Sequence, residues 1–119
     1  MRAIQFHEFG GYDRLRLVDL PSPTIEEGQV LVRMRLAGVN PLDHTVRSGG
    51  LPFGKAPPMI PGGGGVGEIV DADSTSLAAR PRVLISGGGY GLSEDGTWRM
   101  AWSTAAGCEM AVRPTESTL

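Results

Sequence analysis

The sequence predicts a mainly β domain, an open barrel or sandwich of about seven short strands with one short helix. Glycine (18 residues) and proline (9 residues) are dense and fall in clusters, which is typical of short elements joined by tight turns. Several segments alternate apolar and polar residues with the period of two that a half-buried strand needs. The 119 residues fit one domain over 1–119.

The first two strands are predicted at Met1–Phe6 and Arg14–Asp19, with a glycine turn between them. In the second of these strands Leu15 and Leu17 share one face, and we expect both to be turned toward the core. Pro21 ends this strand because proline has no N–H to donate to a sheet.

The clearest strand is predicted at Gln29–Ala37, where apolar residues recur at every second position. One face carries Val30, Val32, Met34 and Leu36. This face is expected to line the core, while Arg33 and Arg35 lie on the opposite face.

The period changes after this strand, and a short helix is predicted at Pro41–Ser48. Asn40 is a good N-cap and proline suits the first helical position. Asp43 lies in the first turn, where the helix dipole favours a carboxylate. Gly49 and Gly50 are expected to end the helix.

The second half of the chain combines glycine-rich loops with further short strands. Loops are predicted at Leu51–Gly65 and Gly87–Gly96. Strands are predicted at Val66–Val70, Arg82–Ile85, Thr97–Trp102 and Met110–Arg113. Trp98 and Trp102 share one face of a strand, where packing in the core or at an interface is expected.

The run Gly62–Gly67 matches the G-x-G-x-x-G pattern of dinucleotide-binding proteins but lacks its context. That pattern follows a strand and opens a helix, whose N-terminus meets the pyrophosphate. The run in this chain follows a proline loop and opens a strand. We therefore expect close backbone packing and positive φ angles here, not a cofactor site.

Composition and charge exclude several classes of function. The net charge of −2 and the isoelectric point near 5.6 offer no basic surface for nucleic acid. Cys108 is the single cysteine, so an intrachain disulfide and a metal site made of cysteines are excluded. No apolar run approaches the length of a membrane span or a signal peptide. We expect a cytoplasmic protein that binds neither nucleic acid nor membranes.

An ordered series of motifs runs through nearly the whole chain. In chain order these are Met1-Arg2-Ala3-Ile4, Phe9-Gly10-Gly11, Gly28-Gln29-Val30-Leu31-Val32-Arg33, Ala37-Gly38-Val39-Asn40-Pro41-Leu42-Asp43, Arg47-Ser48-Gly49, and Ile60-Pro61-Gly62 through Val66-Gly67. In order and spacing the series resembles the zinc-free quinone oxidoreductase (zeta-crystallin-like) branch of the medium-chain dehydrogenase/reductase superfamily.

The resemblance implies a fold, a cofactor and a substrate class. In that family this segment is a GroES-like barrel, NADPH binds mainly to a following Rossmann domain, and a quinone or enone is reduced in the cleft between them. The Rossmann domain and the family's barrel-closing C-terminal segment are absent from these 119 residues. The resemblance therefore implies that the chain forms one wall of the cleft and is inactive alone. The chain departs from the family at two places. Gly64 stands where the family commonly has an acidic residue, and the family's Gly-Asp-Arg-Val turn is replaced by Arg80-Pro81-Arg82-Val83.

The resemblance also implies a site without zinc. Asn40 stands where zinc-dependent relatives place a cysteine ligand, and an amide is a poor zinc ligand. Gly63 or Gly64 replaces their histidine ligand. Leu42 replaces their Ser/Thr proton relay, and leucine cannot transfer a proton. No metal ligand is therefore assigned.

By resemblance, Asn40 and Asp43 act in catalysis and contact the cofactor, which Arg47 also contacts. Tyr90 would donate its hydroxyl to the substrate carbonyl from a loop that can close. Plainer interpretations stand beside these: Asn40 as an N-cap, Asp43 as a first-turn carboxylate, and Tyr90 as a surface aromatic on a mobile turn. His44 could be a proton donor, and the plainer interpretation is a solvated residue on the exposed side of the helix.

A second function stays open, that of a stand-alone, non-catalytic β module that binds a partner protein or forms a homodimer. A barrel without its closing segment exposes strand edges, and exposed edges pair with other chains.

Overall fold

The computed structural model describes residues 1–72, 82–100 and 109–112. In chain order its elements are β1 (Arg2–Phe6), a 3-10 turn (Tyr12–Arg14), β2 (Leu15–Asp19), β3 (Val30–Ala37), α1 (Pro41–Ser48), β4 (Gly64–Ala72), β5 (Arg82–Ser86), β6 (Arg99–Met100) and β7 (Glu109–Val112). The predicted mainly β fold with one short helix is confirmed. Cys108 and Trp102 lie outside the described residues, as does most of the segment between β4 and β5.

The strands form two antiparallel sheets. One has three strands in the order β2-β1-β6, and the other has four in the order β5-β4-β3-β7. In the described part of the chain, no helix is long and apolar enough to cross a membrane.

Two buried clusters form the core. The larger lies on the inward face of the four-stranded sheet and contains Val30, Val32, Met34, Val83, Ile85 and Val112. The predicted alternation of β3 is thereby confirmed for its first three apolar positions. The smaller cluster joins β1 to α1 through Phe6, Val46 and Met59. Phe6 and Met59 also exchange two backbone hydrogen bonds of 3.0 Å, which tie the loop after α1 to the three-stranded sheet.

The prediction that Leu36 lines the core is wrong. Met34 pairs with Gly67 and Leu36 pairs with Val66, so β3 carries one more residue than β4 across this step. Because side chains alternate along a strand, this bulge at Arg35 turns Leu36 to the outward face, where it is 70% exposed.

The prediction that Leu17 is turned toward the core is also wrong, since Leu17 is 52% exposed. Leu15, two residues earlier, does pack against the smaller cluster. Leu17 lies opposite Ile4 in the β1–β2 register, and Ile4 lines an open groove between the two sheets. At Leu17 and Ile4, this face of the three-stranded sheet therefore borders the groove and is not covered by core side chains.

The glycine run packs as closely as expected, but the strand that contains it begins two residues earlier than predicted. β4 begins at Gly64, not at Val66, and Gly64 already pairs with Ser86 of β5. A Cβ on Gly67 would lie 2.5 Å from Val32 Cγ1 and 2.6 Å from the Arg33 carbonyl oxygen. The expected positive φ is found at Gly62, where it is 106°. Glycine is required at position 67 because no other residue lets the backbones of β3 and β4 approach this closely.

An ion pair crosses the outward face of the four-stranded sheet. Arg35 Nη2 donates a hydrogen bond to Glu68 Oε2 over 3.1 Å. This hydrogen bond and the charge of Arg35, with further positive charge from Arg82 and Arg33, hold the pKa of Glu68 below its ordinary value of 4.5.

Acid is expected to weaken the fold through Glu68. Because its folded pKa lies below the unfolded one, its carboxylate adds stability above the unfolded pKa, and this is lost as the pH falls through the folded pKa. In urea denaturation, the stability advantage of the wild type over Glu68→Gln should shrink as the pH falls from above 4.5 through the folded pKa. Arg35→Gln should remove the same part of the pH dependence. Parallel pH profiles for wild type and Glu68→Gln would contradict this assignment.

Candidate functional site

The helix α1 begins and ends as the sequence predicts. Asn40 is the N-cap, with extended φ and ψ of −127° and 160°, and proline occupies the first helical position. The Asp43 carboxylate accepts a hydrogen bond of 2.7 Å from the backbone N–H of Asn40. Gly49 ends the helix in the left-handed conformation, with φ of 80°. These local signals define the helix at both ends.

A hydrogen-bond network holds the turn that precedes α1. The Gly38 N–H donates to the Gly64 carbonyl over 2.9 Å, and the Trp98 indole Nε1 donates to the Gly38 carbonyl over 2.9 Å. The hydroxyl of Thr97, which is fully buried, donates to the same Gly64 carbonyl over 2.8 Å. The start of β4 and the residues before β6 therefore determine where Asn40 lies.

Asn40 and Asp43 are adjacent in space but differ in exposure. Asn40 is exposed, whereas Asp43 is 4% exposed and its carboxylate is engaged by the Asn40 backbone. Asn40 thus occupies the N-cap position without a side-chain capping hydrogen bond, while the Asp43 carboxylate accepts from the Asn40 backbone as expected for the first turn. The Asn40 side chain is exposed. The catalytic and cofactor-binding roles of the pair stay predictions.

Arg47 lies on the last turn of α1, about 10 Å along the helix axis from Asn40. It is 7% exposed, its Nε donates to the Gly10 carbonyl over 3.0 Å, and its guanidinium lies 4.3 Å from the centre of the Tyr12 ring. The Gly10 N–H in turn donates to the Arg47 carbonyl over 3.0 Å. Arg47 therefore joins the loop after β1 to α1, a contact that the sequence did not predict. The cofactor contact of Arg47 stays a prediction.

Tyr90 lies in a loop with a strongly constrained backbone. Gly87, Gly88, Gly89 and Gly91 all have positive φ, between 71° and 84°. Tyr90 itself is half-buried and packs against the larger core cluster. The interpretation of Tyr90 as a surface aromatic on a mobile turn does not match this packing. Its contact with a substrate stays a prediction. His44 is exposed, as expected.

An open groove of about 540 Å³ lies beside the turn before α1. It is lined by Ile4, Met34, Arg35, Leu36, Ala37, Val39, Trp98 and Arg99. Val39, which precedes Asn40, is 78% exposed. A mostly apolar lining with two arginines suits a ligand that has an apolar body and a polar group. A smaller pocket of about 240 Å³ lies at the other end of α1, beside Phe9 and Phe53.

The side chains near the start of α1 are poor donors for a metal ion. Asn40 offers an amide, Leu42 is apolar, and glycines stand at 63 and 64. Across residues 1–72, 82–100 and 109–112, no three His, Cys, Asp or Glu side chains are grouped so that they could hold a metal ion.

Comparison with known proteins gives a family match and a set of relatives. Residues 26–110 match the family described as the alcohol dehydrogenase GroES-like domain. The quinone oxidoreductase of Lama guanicoe is 39% identical over 106 residues, which cover 82% of this chain and 32% of that protein. The chain thus spans about a third of the length of the curated relatives it matches.

Two solved structures illustrate the breadth of similar folds. The quinone oxidoreductase from Thermus thermophilus, solved alone and with NADPH, has a TM-score of 0.64 and 31% identity, over 95% of this chain and 30% of that one. The cobalt- and zinc-bound alcohol dehydrogenase from Pyrobaculum aerophilum has a TM-score of 0.75 and 25% identity, over 95% of this chain and 39% of that one. The fold is therefore shared by proteins with and without metal in their descriptions.

Trp98→Phe is expected to destabilise the protein by about 1 kcal/mol, because the partly buried Gly38 carbonyl loses its donor. Ser48→Ala is a suitable control, since it removes an exposed side-chain hydrogen bond to the Thr45 carbonyl and should cost less than about 0.5 kcal/mol. Both values follow from denaturant unfolding. Equal losses in the two variants would contradict a role for Trp98 in holding this turn.

Proposed function

The chain belongs to the alcohol dehydrogenase GroES-like domain family, and on this premise we propose that it is the N-terminal, substrate-side domain of a zinc-independent, NADPH-dependent quinone or enone oxidoreductase. It contributes one wall of the cleft in which substrate and nicotinamide meet. Alone it does not turn over, because the remainder of the cofactor site belongs to a Rossmann domain outside these residues.

The observation that carries this proposal is the placement of Asn40. Its side chain is exposed at the start of α1, and the residue before it, Val39, lines an open and mostly apolar groove. The turn that presents it is held by hydrogen bonds to Gly64 and Trp98. An exposed amide on a held turn, next to a mostly apolar groove, suits a quinone, whose ring is apolar and whose carbonyl accepts hydrogen bonds. The similarity to quinone oxidoreductases supports the same substrate class.

NADPH would supply the hydride when bound, and the residues of this chain position the reactants. Asn40 would donate its amide N–H to the carbonyl oxygen of the substrate or to the carboxamide of the cofactor. Asp43 is a positioning residue, since its carboxylate holds the Asn40 backbone. Arg47 would act on the cofactor site through the loop after β1, which it holds against α1. Tyr90 would donate its hydroxyl to the substrate carbonyl after a movement of the glycine-rich loop toward the cleft.

Zinc independence is supported by the donor set around α1. Asn40 and the glycines at 63 and 64 supply no thiolate or imidazole, and Leu42 supplies no proton. We further propose a cytoplasmic location and small-molecule partners only. The net charge of −2 offers no basic surface for nucleic acid.

The proposal is tested on the full-length protein isolated from its source cells, by following NADPH oxidation with quinone and enone substrates. We expect turnover that a metal chelator does not change. Asn40→Ala should lower kcat/KM by about 10- to 100-fold, equivalent to one lost transition-state hydrogen bond. Asp43→Ala should lower it to a similar extent.

Leu17→Ala is a matched control, because Leu17 is exposed on the three-stranded sheet and should leave the rate unchanged. The 119-residue chain alone should show no turnover. Inhibition by the chelator would overturn zinc independence, and full activity of both α1 variants would overturn the assigned roles. A full-length protein inactive with every quinone and enone would overturn the proposed substrate class.

A further inference from the structure

The open groove beside the turn before α1 carries positive charge on both of its walls. Arg35 of β3 lines it from the four-stranded sheet, and Arg99 of β6 lines it from the three-stranded sheet. The other described residues that line the groove are apolar, and none of them is acidic. The chain as a whole has 13 acidic and 11 basic residues, so the groove has a local charge opposite to the net charge of the molecule.

Arg35 contributes positive charge to the groove although it forms an ion pair. Its partner is Glu68, which is not among the described residues that line the groove. The same carboxylate lies opposite Arg33 and Arg82 in the sheet register, and the charges of all three arginines lower its pKa. One carboxylate that is shared by three guanidinium groups leaves a surplus of positive charge beside the groove.

Arg99 is held on the wall that also supports the turn before α1. Its Nε donates to the Gly96 carbonyl over 3.0 Å, and the side chain is half-buried. The residue before it, Trp98, donates to the Gly38 carbonyl, two positions before Asn40. Because partial burial reduces the screening of a charge by water, the guanidinium attracts an anion more strongly here than it would on an open surface.

We propose that the groove selects substrates that carry a carboxylate in addition to the reducible carbonyl. This inference rests on the proposed function and specifies its substrate class. Asn40 would donate to the reducible carbonyl, while Arg35 and Arg99 would bind the carboxylate through charge-assisted hydrogen bonds. Asn40 and Arg35 are five positions apart, so their Cα atoms lie within about 17 Å of each other. A quinone with a short acidic side chain fits within this span.

The apolar part of the lining favours the substrate over the phosphates of NADPH, the other anions in the proposed reaction. Ile4, Met34 and Leu36 lie along the groove with the two arginines. A phosphate group has no apolar surface to bury against these side chains, whereas a carboxylate attached to a ring matches both the aliphatic lining and the positive charge.

The first test measures binding without turnover, by isothermal titration calorimetry of the full-length protein. Phenylpropionate and phenylpropionamide share a ring, differ in charge and have no quinone or enone to reduce. Phenylpropionate should bind at least about tenfold more tightly than the amide. Arg99→Gln and Arg35→Gln should each remove most of this preference, whereas Arg99→Lys, which retains the charge, should keep most of it.

Arg16→Gln is the matched control. It removes the same charge from an exposed position on β2. Arg16 lies on the face of β2 opposite to Leu17, and Leu17 is on the side that borders the groove. The preference for phenylpropionate should therefore stay at the wild-type value in this variant.

The second test measures turnover with a naphthoquinone that carries a propionate side chain and with the methyl ester of the same quinone. Arg99→Gln should lower kcat/KM for the acid about tenfold and leave kcat/KM for the ester unchanged. A wild type that reduces neither quinone but still prefers phenylpropionate would overturn the proposed reaction and support the carboxylate site.

Equal binding of phenylpropionate and its amide would overturn the carboxylate site, as would the absence of phenylpropionate binding up to about 10 mM. A preference that survives in both glutamine variants, or that is lost in Arg16→Gln, would overturn it as well. Weaker binding of NADPH by Arg99→Gln, with phenylpropionate binding unchanged, would also overturn it, because the arginine would then bind the phosphates of the cofactor.

Discussion

The close approach of the glycine run at the start of β4 to its neighbours is the constraint on which the rest of the structure depends. Gly65 and Gly67 let β4 lie directly against the backbone of β3, and Gly62 packs against Thr97 and Trp98. A side chain at any of these positions would push two backbones apart. This approach joins the four-stranded sheet to the turn before α1.

Function depends on the same contact, because it determines where α1 starts. The Gly64 carbonyl accepts hydrogen bonds from Gly38 and from Thr97, and Trp98 reaches the Gly38 carbonyl. Asn40 follows two residues later with its side chain exposed, directly after Val39, which lines the groove. The glycine pattern that looks like a dinucleotide fingerprint thus serves the site through packing, and the proposed oxidoreductase role rests on where it places this amide.

The features that the sequence predicted correctly are local ones. The bounds of α1 follow from an N-cap, a proline and a terminal glycine, and the inward face of β3 follows from alternation up to Met34. The features it missed involve two distant segments. Leu36 turns outward because of a mismatch between β3 and β4, and Trp98 bonds to Gly38, 60 positions away. Neither signal is present in one segment alone.

Amide hydrogen exchange in Gly62→Ala tests most directly whether this glycine contact positions the site. A Cβ at Gly62 would collide with Thr97 and Trp98, and the residue has a φ of 106°. Gly63→Ala is the matched control, because its nearest neighbour would be the Tyr90 carbonyl at an ordinary 3.6 Å. We predict faster exchange at the Gly38 and Asn40 amides in Gly62→Ala and wild-type protection in Gly63→Ala. Unchanged protection in both variants would show that the start of α1 is held without this contact.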